Sequence, residues 1–414
     1  MYPREIMKDI YRWLERPEII IIHGARQTGK TTCLKLVETE LQRQGKTFFY
    51  LTLENYDYLN LLNQNPENLF KIIGSILPEQ DKVFVLIDEI QYLNDPTHFM
   101  KLVFDQFHDR IKIIATGSSS FYMDRKFKDS LVGRKQIFHL KPLSFREYLI
   151  FQQREDLAGL LKPEIAIENF NYYQSIPLVR QNELKKYYSD FICFGGYPGV
   201  VIERERDFKM RKLEDLINSY IKKDVLEARL NYPEKYMQIL KLIAEKSGAL
   251  FNQNQVGRLL GLSTTALNNY LYVMQKSFHI ALIKPFYRNL RKEIRKMPKA
   301  FLPDTGLRNA LLGNFSPIDI RLDRGYYFEN LVFTHLYHHF EIDDIKFWRT
   351  QNMSEIDFVL PHKIALEAKL HAKLFNMKKY EYFLQQYPQF KLHVVLFNDH
   401  LQIGNRFFWN VMYL

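Results

Sequence analysis

Apolar residues along the first 140 positions fall into short aliphatic runs, at 18–22, 47–53, 82–87 and 111–115, divided by stretches where they recur at helical spacing. Strand and helix alternating in this way imply right-handed crossovers and a parallel sheet covered by helices on both faces. Residues 141–235 lose the strand signal and read as helices, interrupted by the Gly/Pro turn CFGGYPGVV. Three helical segments follow, YMQILKLIAEKSG, NQNQVGRLLG and STTALNNYLYVMQKS, the last with Ser263 as its N-cap. Apolar, then basic, strand-like material comes next. From Gly325 the pattern is a helix, YYFENLVFTHLYHHF, then strands at 345–350, 355–360 and 364–370, another helix, and the strand KLHVVLF.

Helix, short helix, longer helix and hairpin is the order of a winged helix-turn-helix. The expected domains are therefore 1–145, a helical lid or linker at 146–235, a winged helix at 236–322 and an α/β tail at 323–414. A chain of 414 residues is long enough for two or three cores. Lys plus Arg number 58 against 47 Asp plus Glu, a net charge of +11, which suits a polyanionic partner. Two cysteines, Cys33 and Cys193, exclude a disulfide framework and a Cys-rich zinc module, and read as buried thiols in a reducing compartment. The charged start MYPREIMKDIYRWLERPE is no signal peptide, and a run such as Ile19 to Ile22 is too short to cross a membrane. The expectation is a cytoplasmic protein without a membrane partner.

The stretch GARQTGKT, Gly24, Ala25, Arg26, Gln27, Thr28, Gly29, Lys30 and Thr31, fits G-x-x-x-x-G-K-[ST], with an aliphatic strand before it and a helix starting TTCLKL after it. Its glycines let N–H groups close around phosphate oxygens at a helix N-terminus, with Thr32 on the first turn. Lys30 is expected at the β- and γ-phosphates of ATP and the Thr31 hydroxyl on Mg²⁺. The run VFVLIDEI ends in Asp88, a second Mg²⁺ ligand, and Glu89, placed to act as general base on the attacking water. A bare acidic pair there could also be helix-cap chemistry. At the end of IKIIATGSSS, Thr116 or Ser118 is a candidate sensor of the γ-phosphate, although Ser/Thr/Gly runs are ordinary strand-end turns.

These motifs, with LVGRK, LKPLSFREYL, GGYPGVV, PKAFLPDTGLRNAL and FWRTQNMSEIDFVL, resemble prokaryotic AAA-type ATPases that carry a C-terminal domain of unknown function. The likeness covers nearly the whole chain. It implies an α/β protein: a P-loop NTPase parallel-sheet domain, a helical and winged-helix middle, and a restriction-endonuclease-like tail. Arg134 stands at the family's Gly-Arg position and is a candidate arginine finger for a neighbouring subunit, or a plain surface arginine. A finger in trans requires a homo-oligomer.

The run YRNLRKEIRKMPK sets Arg288, Arg291, Lys292, Arg295, Lys296 and Lys299 against the single Glu293 where a wing hairpin belongs. It suits a DNA backbone, with Asn268, Asn269 and Gln275 of the preceding helix as base-edge candidates. In the tail, IALEAKL as a strand puts Ile364, Leu366, Ala368 and Leu370 on one face and Ala365, Glu367 and Lys369 on the other. Asp357 on the preceding strand and Glu329 on the helix before it can reach the same point. This Glu…Asp…Glu-x-Lys order resembles PD-(D/E)xK nucleases. It implies Mg²⁺ on Glu329, Asp357 and Glu367, with Lys369 on the attacked phosphate. Many solvated strands also end in Glu-x-Lys. His335 and His339, four apart in HLYHH, read as core or surface histidines. The expected function is ATP hydrolysis coupled to DNA binding or processing. The rival is an ATP-dependent switch whose tail is a non-cleaving scaffold, and a third reading is an ATPase joined to a transcriptional regulator.

Overall fold

The computed structural model describes residues 2–74, 82–117, 131–162, 170–219, 224–287, 296–350, 354–403 and 406–414. They fall into two compact units, Met1–Lys141 and Pro142–Leu414. The principal elements of the first are α1 (Met7–Arg12), β1 (Ile19–His23), α2 (Lys30–Arg43), β2 (Phe48–Thr52), β3 (Val83–Asp88), α3 (Pro96–Phe107), β4 (Ile111–Gly117) and β5 (Lys135–His139). All five strands are parallel, in the order β2-β3-β4-β1-β5.

The period of two in the strands sorts their side chains between the faces. Ile19, Ile21, Val83, Val85, Ile87, Ile111 and Ile113 pack with Phe99, Met100 and Val103 of α3. Ile20, Ile22, Phe84, Leu86 and Ile114 pack with Cys33, Leu34, Val37 and Leu41 of α2. Both faces are thus covered, which is why these strands are apolar throughout. Lys112 is the exception within β4: its ammonium is fully buried and donates to the carbonyls of Trp13 (2.9 Å), Arg16 (2.8 Å) and Glu18, anchoring the chain that leaves α1. The strand β5 went unseen in the hydrophobic pattern, because KQIFH is short and only one of its five residues is buried.

The second unit holds α4 (Leu178–Phe194), α5 (Arg206–Ser219), α6 (Pro233–Glu245), α7 (Gln253–Leu260), α8 (Thr264–Lys276), β6 (Ala281–Pro285), β7 (Lys299–Phe301), α9 (Thr305–Leu312), α10 (Arg324–His339), β8 (Lys346–Arg349), β9 (Glu355–Leu360), β10 (Ile364–Lys369), α11 (Glu381–Gln386), β11 (Lys391–Leu396), β12 (Leu401–Ile403) and β13 (Arg406–Asn410). Ser263 caps α8, accepting from the N–H of Ala266. The sheet order is β12-β13-β11-β10-β9-β8-β6-β7. Strands β8, β9 and β10 form an antiparallel meander, and β11 then pairs parallel to β10. The hairpin β12–β13 was not anticipated.

The segments 146–235, 236–322 and 323–414 all lie within this one unit. β6 pairs parallel with β8, through Lys284↔Lys346 and Pro285↔Phe347. One apolar core runs from Phe145 and Phe191 through Ile283 and Phe301 to Phe333, Phe358, Leu366 and Trp409. The Gly/Pro turn after α4 is locked to the start of α9. The N–H of Gly196 donates to Asp304 Oδ2 at 2.7 Å, while Oδ1 caps α9 at the Leu307 N–H (2.8 Å). Gly195 has φ 76°, and a Cβ there would lie 2.2 Å from Asp304 Oδ1; one on Gly306 would lie 2.0 Å from the Phe194 carbonyl. The motifs GGYPG and PDTG are therefore the two halves of one packing contact. No helix among the described residues is long and apolar enough to cross a membrane.

His335 is buried in the core, 2.8 Å from the Tyr188 hydroxyl, as a core histidine should be. Burial, reinforced by His339, lowers its pKa from 6.5 to about 3. The folded chain refuses a proton that the unfolded chain accepts, so this group's contribution is complete above pH 6.5 and is lost as pH falls toward 3. The loss is about 1.4 kcal/mol per pH unit within that window. Denaturant titrations of wild type and His335→Gln across it should show a shallower pH slope for the variant; equal slopes would remove His335 from the account.

Candidate nucleotide site and acid cluster

The chain leaves β1 at His23 and turns through Gly24–Gly29 into α2. Gln27 (φ 61°) and Gly29 (φ 96°) are left-handed, the backbone pattern by which successive N–H groups come to face one concavity. Leu140 seals the back of the turn. Its N–H donates to the His23 carbonyl, and its own carbonyl would sit 2.2 Å from a Cβ on Gly24. Thr28 Oγ1 donates to the Ala25 carbonyl (2.8 Å), and the Arg4 guanidinium clamps the carbonyls of Thr28 and Lys141, both at 2.8 Å. Arg4 has no motif around it, so nothing along the chain marks this role in advance. Ala25 is buried, Arg26 half-buried, and Gln27 and Thr32 exposed. Lys30 curls back over the loop, its ammonium donating to the carbonyls of Ala25 (2.8 Å) and Gly24 (3.1 Å).

Because β4 lies between β1 and β3, the carboxyl ends of all three converge beside this loop. Asp88, at the end of β3, accepts three hydroxyls: Thr31 at 2.9 Å, Tyr50 at 3.1 Å, and Thr116. Thr116 Oγ1 also accepts from the Glu89 N–H at 3.0 Å, which ties the tip of β4 to both acids. Glu89 itself is left-handed (φ 59°), and the Gln91 amide donates to its carboxylate. Burial, with the charge of Asp88 behind it, pushes the Tyr50 hydroxyl well above its ordinary range and keeps it a neutral donor. Ser118, the other sensor candidate, lies outside the described residues.

Arg134 sits at the opposite end of the sheet. Its carbonyl accepts from the N–H of Ile19, the first residue of β1, and its guanidinium pairs with Asp105 of α3 at 2.5 Å. A five-residue strand spans roughly 16 Å, so Arg134 is out of reach of its own chain's phosphate loop.

In the second unit, β9, β10 and α10 bring the tail's predicted residues together. Ile364 and Leu366 pack into the main core and Ala365 into a second apolar cluster on the other face, with Trp348, Tyr380 and Phe383. Glu367 and Lys369 share that second face, and the Lys369 ammonium is bonded to the Glu367 carboxylate. Tyr380, at the start of α11, donates to Glu367 Oε1 at 2.9 Å, and the Ala368 N–H donates to Asp357 Oδ2 at 2.9 Å. Glu329, Asp357 and a residue no motif singled out, Glu355, present carboxylate oxygens within 4.8 Å of one another.

A cation is among them, and it is one expected elsewhere. Lys299 is not available to a phosphate backbone: it is 2 % exposed, and its ammonium lies 2.7 Å from Glu329, 3.6 Å from Asp357 and against Glu355. Burial by itself disfavours this ammonium, but Glu329, Asp357 and Glu355 together more than offset it and hold it charged well above the ordinary lysine range. Burial, with Asp357 adding to it, pushes Glu329 and Glu367 above the usual carboxylate range. Gly248 makes room for the cluster, since a Cβ there would lie 2.7 Å from the Glu329 carboxyl carbon. Of the other basic-run residues, Lys296 is exposed, and Arg288, Arg291, Lys292 and Arg295 lie outside the described residues. On α8, Asn268 and Asn269 are exposed, whereas Gln275 spends its amide on the Leu271 carbonyl.

Residues 16–149 match the family model of the AAA domain. Residues 185–317 and 324–414 match two domains of unknown function, DUF8612 and DUF4143. An uncharacterised protein of Methanocaldococcus jannaschii is 25% identical over 364 residues, 86% of this chain and 75% of that one. One of Haemophilus influenzae is 22% identical, over 74% of this chain and 72% of that one. Among solved structures, the ORC1 protein of Aeropyrum pernix in complex with DNA overlaps 76% of this chain and 93% of its own, at 13% identity and a TM-score of 0.30, too loose an overlap to carry an argument. The first unit is thus an AAA-like domain with a parallel-sheet, P-loop architecture.

The Gly24 contact gives a direct test of the loop. Gly24→Ala drives a methyl into a backbone carbonyl that cannot move aside. Nucleotide affinity, measured by titration with a fluorescent ATP analogue, should fall at least about tenfold, a loss of roughly 1.4 kcal/mol or more. Unchanged affinity would mean that this turn does not hold the phosphates.

Proposed function

We propose that the AAA-like domain binds ATP and hydrolyses it with Mg²⁺, and that the second unit couples turnover to DNA. The observation that carries the reading is the meeting of Lys30, Thr31, Asp88, Thr116 and Glu89 at one edge of one sheet. The loop N–H groups and the Lys30 ammonium take the β- and γ-phosphates. The Thr31 hydroxyl and the Asp88 carboxylate are a fitting donor pair for Mg²⁺, which supplies charge neutralisation on the phosphates when bound. Glu89 accepts the proton of the attacking water, aimed by the Gln91 amide. Thr116, bonded to Asp88 and Glu89, is placed to sense the γ-phosphate. Arg134, out of reach of its own chain's phosphate loop, serves as an arginine finger only in a homo-oligomer; its pairing with Asp105 equally suits a plain surface arginine.

The DNA half of the reading draws on the net charge of +11, the exposed Asn268 and Asn269 of α8, and the winged-helix order of α6–α8 and β6–β7. In the tail, the order of α10 and β8–β11, with Glu329, Asp357, Glu367 and Lys369 brought together, suits a PD-(D/E)xK nuclease holding Mg²⁺ on its carboxylates. The second reading, a tail that binds without cutting, is favoured by a specific feature: the Lys299 ammonium already occupies the centre of that cluster.

The test is ATP turnover at low salt with and without duplex DNA. DNA should raise the rate several-fold. Glu89→Gln should cut it by a factor of 10² or more while leaving ATP bound. Lys30→Ala should abolish binding. Turnover indifferent to DNA would remove the coupling, and ATP held undiminished by Lys30→Ala would remove the nucleotide site.

A further inference from the structure

We infer that the ammonium of Lys299 is the resident cation of the tail's acid cluster, and that a divalent metal enters this cluster only when Lys299 leaves it. This rests on reading Glu329, Asp357 and Glu367 as the tail's metal ligands, and it adds the group that controls their availability.

The first argument is space. Lys299 Nζ lies 2.7 Å from Glu329 Oε1, in contact with Glu355 Oε1 and 3.6 Å from Asp357 Oδ1, at the point on which the three carboxylates converge. Mg²⁺ draws its oxygen ligands in to about 2.1 Å. An ammonium donates across about 2.8 Å. The two cations compete for one point and cannot share it.

The second argument is charge. Glu329, Glu355, Asp357 and Glu367 face Lys299, Lys369 and Arg349, the last of these 3.2 Å from Glu355. Withdrawing Lys299 removes the cation buried among Glu329, Glu355 and Asp357 and leaves these acids to be met by another cation. Lys369 is not placed to play this part, because its ammonium is partly exposed and pairs with Glu367 at the open side of the cluster.

The third argument is where Lys299 is anchored. It is the first residue of β7, paired with Ile283 of β6 and bridged to Leu250, with the neighbouring Pro298 carbonyl accepting from the Phe251 N–H at 2.8 Å. The cation is thus delivered by the β6–β7 hairpin and not by the strands that carry the acids. Metal uptake and withdrawal of Lys299 are therefore linked, and whatever displaces that side chain raises metal affinity by the same factor as metal raises its displacement.

The experiment uses the full chain without nucleotide, with Mn²⁺ as the probe, counted by its free EPR signal. Lys299→Met should tighten Mn²⁺ binding by about tenfold or more, because it strips the buried acids of their partner, and adding Asp357→Asn should cancel the gain. Lys299→Arg, which keeps a cation in place, should bind as weakly as wild type. A second measurement needs no variant: amine acylation read by peptide mass spectrometry should modify Lys299 slowly in the wild type and at least about tenfold faster once Mn²⁺ saturates the cluster, since a buried ammonium is shielded from reagent. This labelling decides the matter if Lys299→Met does not fold. Tight Mn²⁺ binding by wild type that Asp357→Asn weakens and Lys299→Met leaves unchanged would overturn the inference while sparing the metal site. Mn²⁺ binding indifferent to both substitutions would overturn the metal site and the inference together.

Discussion

A carboxylate at the end of a strand covered on both faces has lost its water, so its charge must be balanced by whatever the neighbouring strands carry. Both candidate sites are solutions to this constraint, and they differ in kind. Asp88 is surrounded by the hydroxyls of Thr31, Tyr50 and Thr116, neutral donors that orient the charge without cancelling it. The negative charge of Asp88 therefore stays uncancelled at the edge of the sheet. In the second unit Glu329, Glu355 and Asp357 converge on one ammonium, that of Lys299, so part of their charge is already offset from within the chain.

The phosphate-loop turn was legible because its pattern is written in consecutive residues. A glycine-rich turn between a strand and a helix has one plausible geometry, and Gly24 to Thr31 adopts it. The aliphatic runs marked the three inner strands, β1, β3 and β4, for the same reason: burial on both faces leaves no other residues to choose. The alternation in IALEAKL likewise put Glu367 and Lys369 on one face, where the structure has them. Legibility ended where a contact joins distant positions. Arg4, Tyr50, Glu355 and Gly248 sit in ordinary helix-start, strand or turn sequence, and only the fold brings them to their sites.

Lys299 shows the limit most clearly. In sequence it closes a basic run and reads as one more solvated charge. The difference between Lys296, exposed, and Lys299, buried, depends on the register of β7 against β6 and on the parallel pairing of β6 with β8, neither of which the run encodes locally. A helical segment, a helix-turn-helix pattern and a tail are each read separately along the chain, and their apolar faces close over one core. GGYPG and PDTG serve that closure, since the Asp304 oxygens are engaged by the N–H groups of Gly196 and Leu307.

Exposed ion pairs contribute about 0–1 kcal/mol, whereas removing one partner of a buried pair costs about 3–5 kcal/mol. That gap bears on what a motif can prove. Glu-x-Lys on a strand fixes which side chains face together, and Lys369 beside Glu367 satisfies it. It says nothing of the cation on the buried side, where the larger energies lie. Chemistry at such a cluster is decided by its net charge and by who holds it. Acids drawn together in this way can therefore remain without a metal for as long as β7 keeps Lys299 among them.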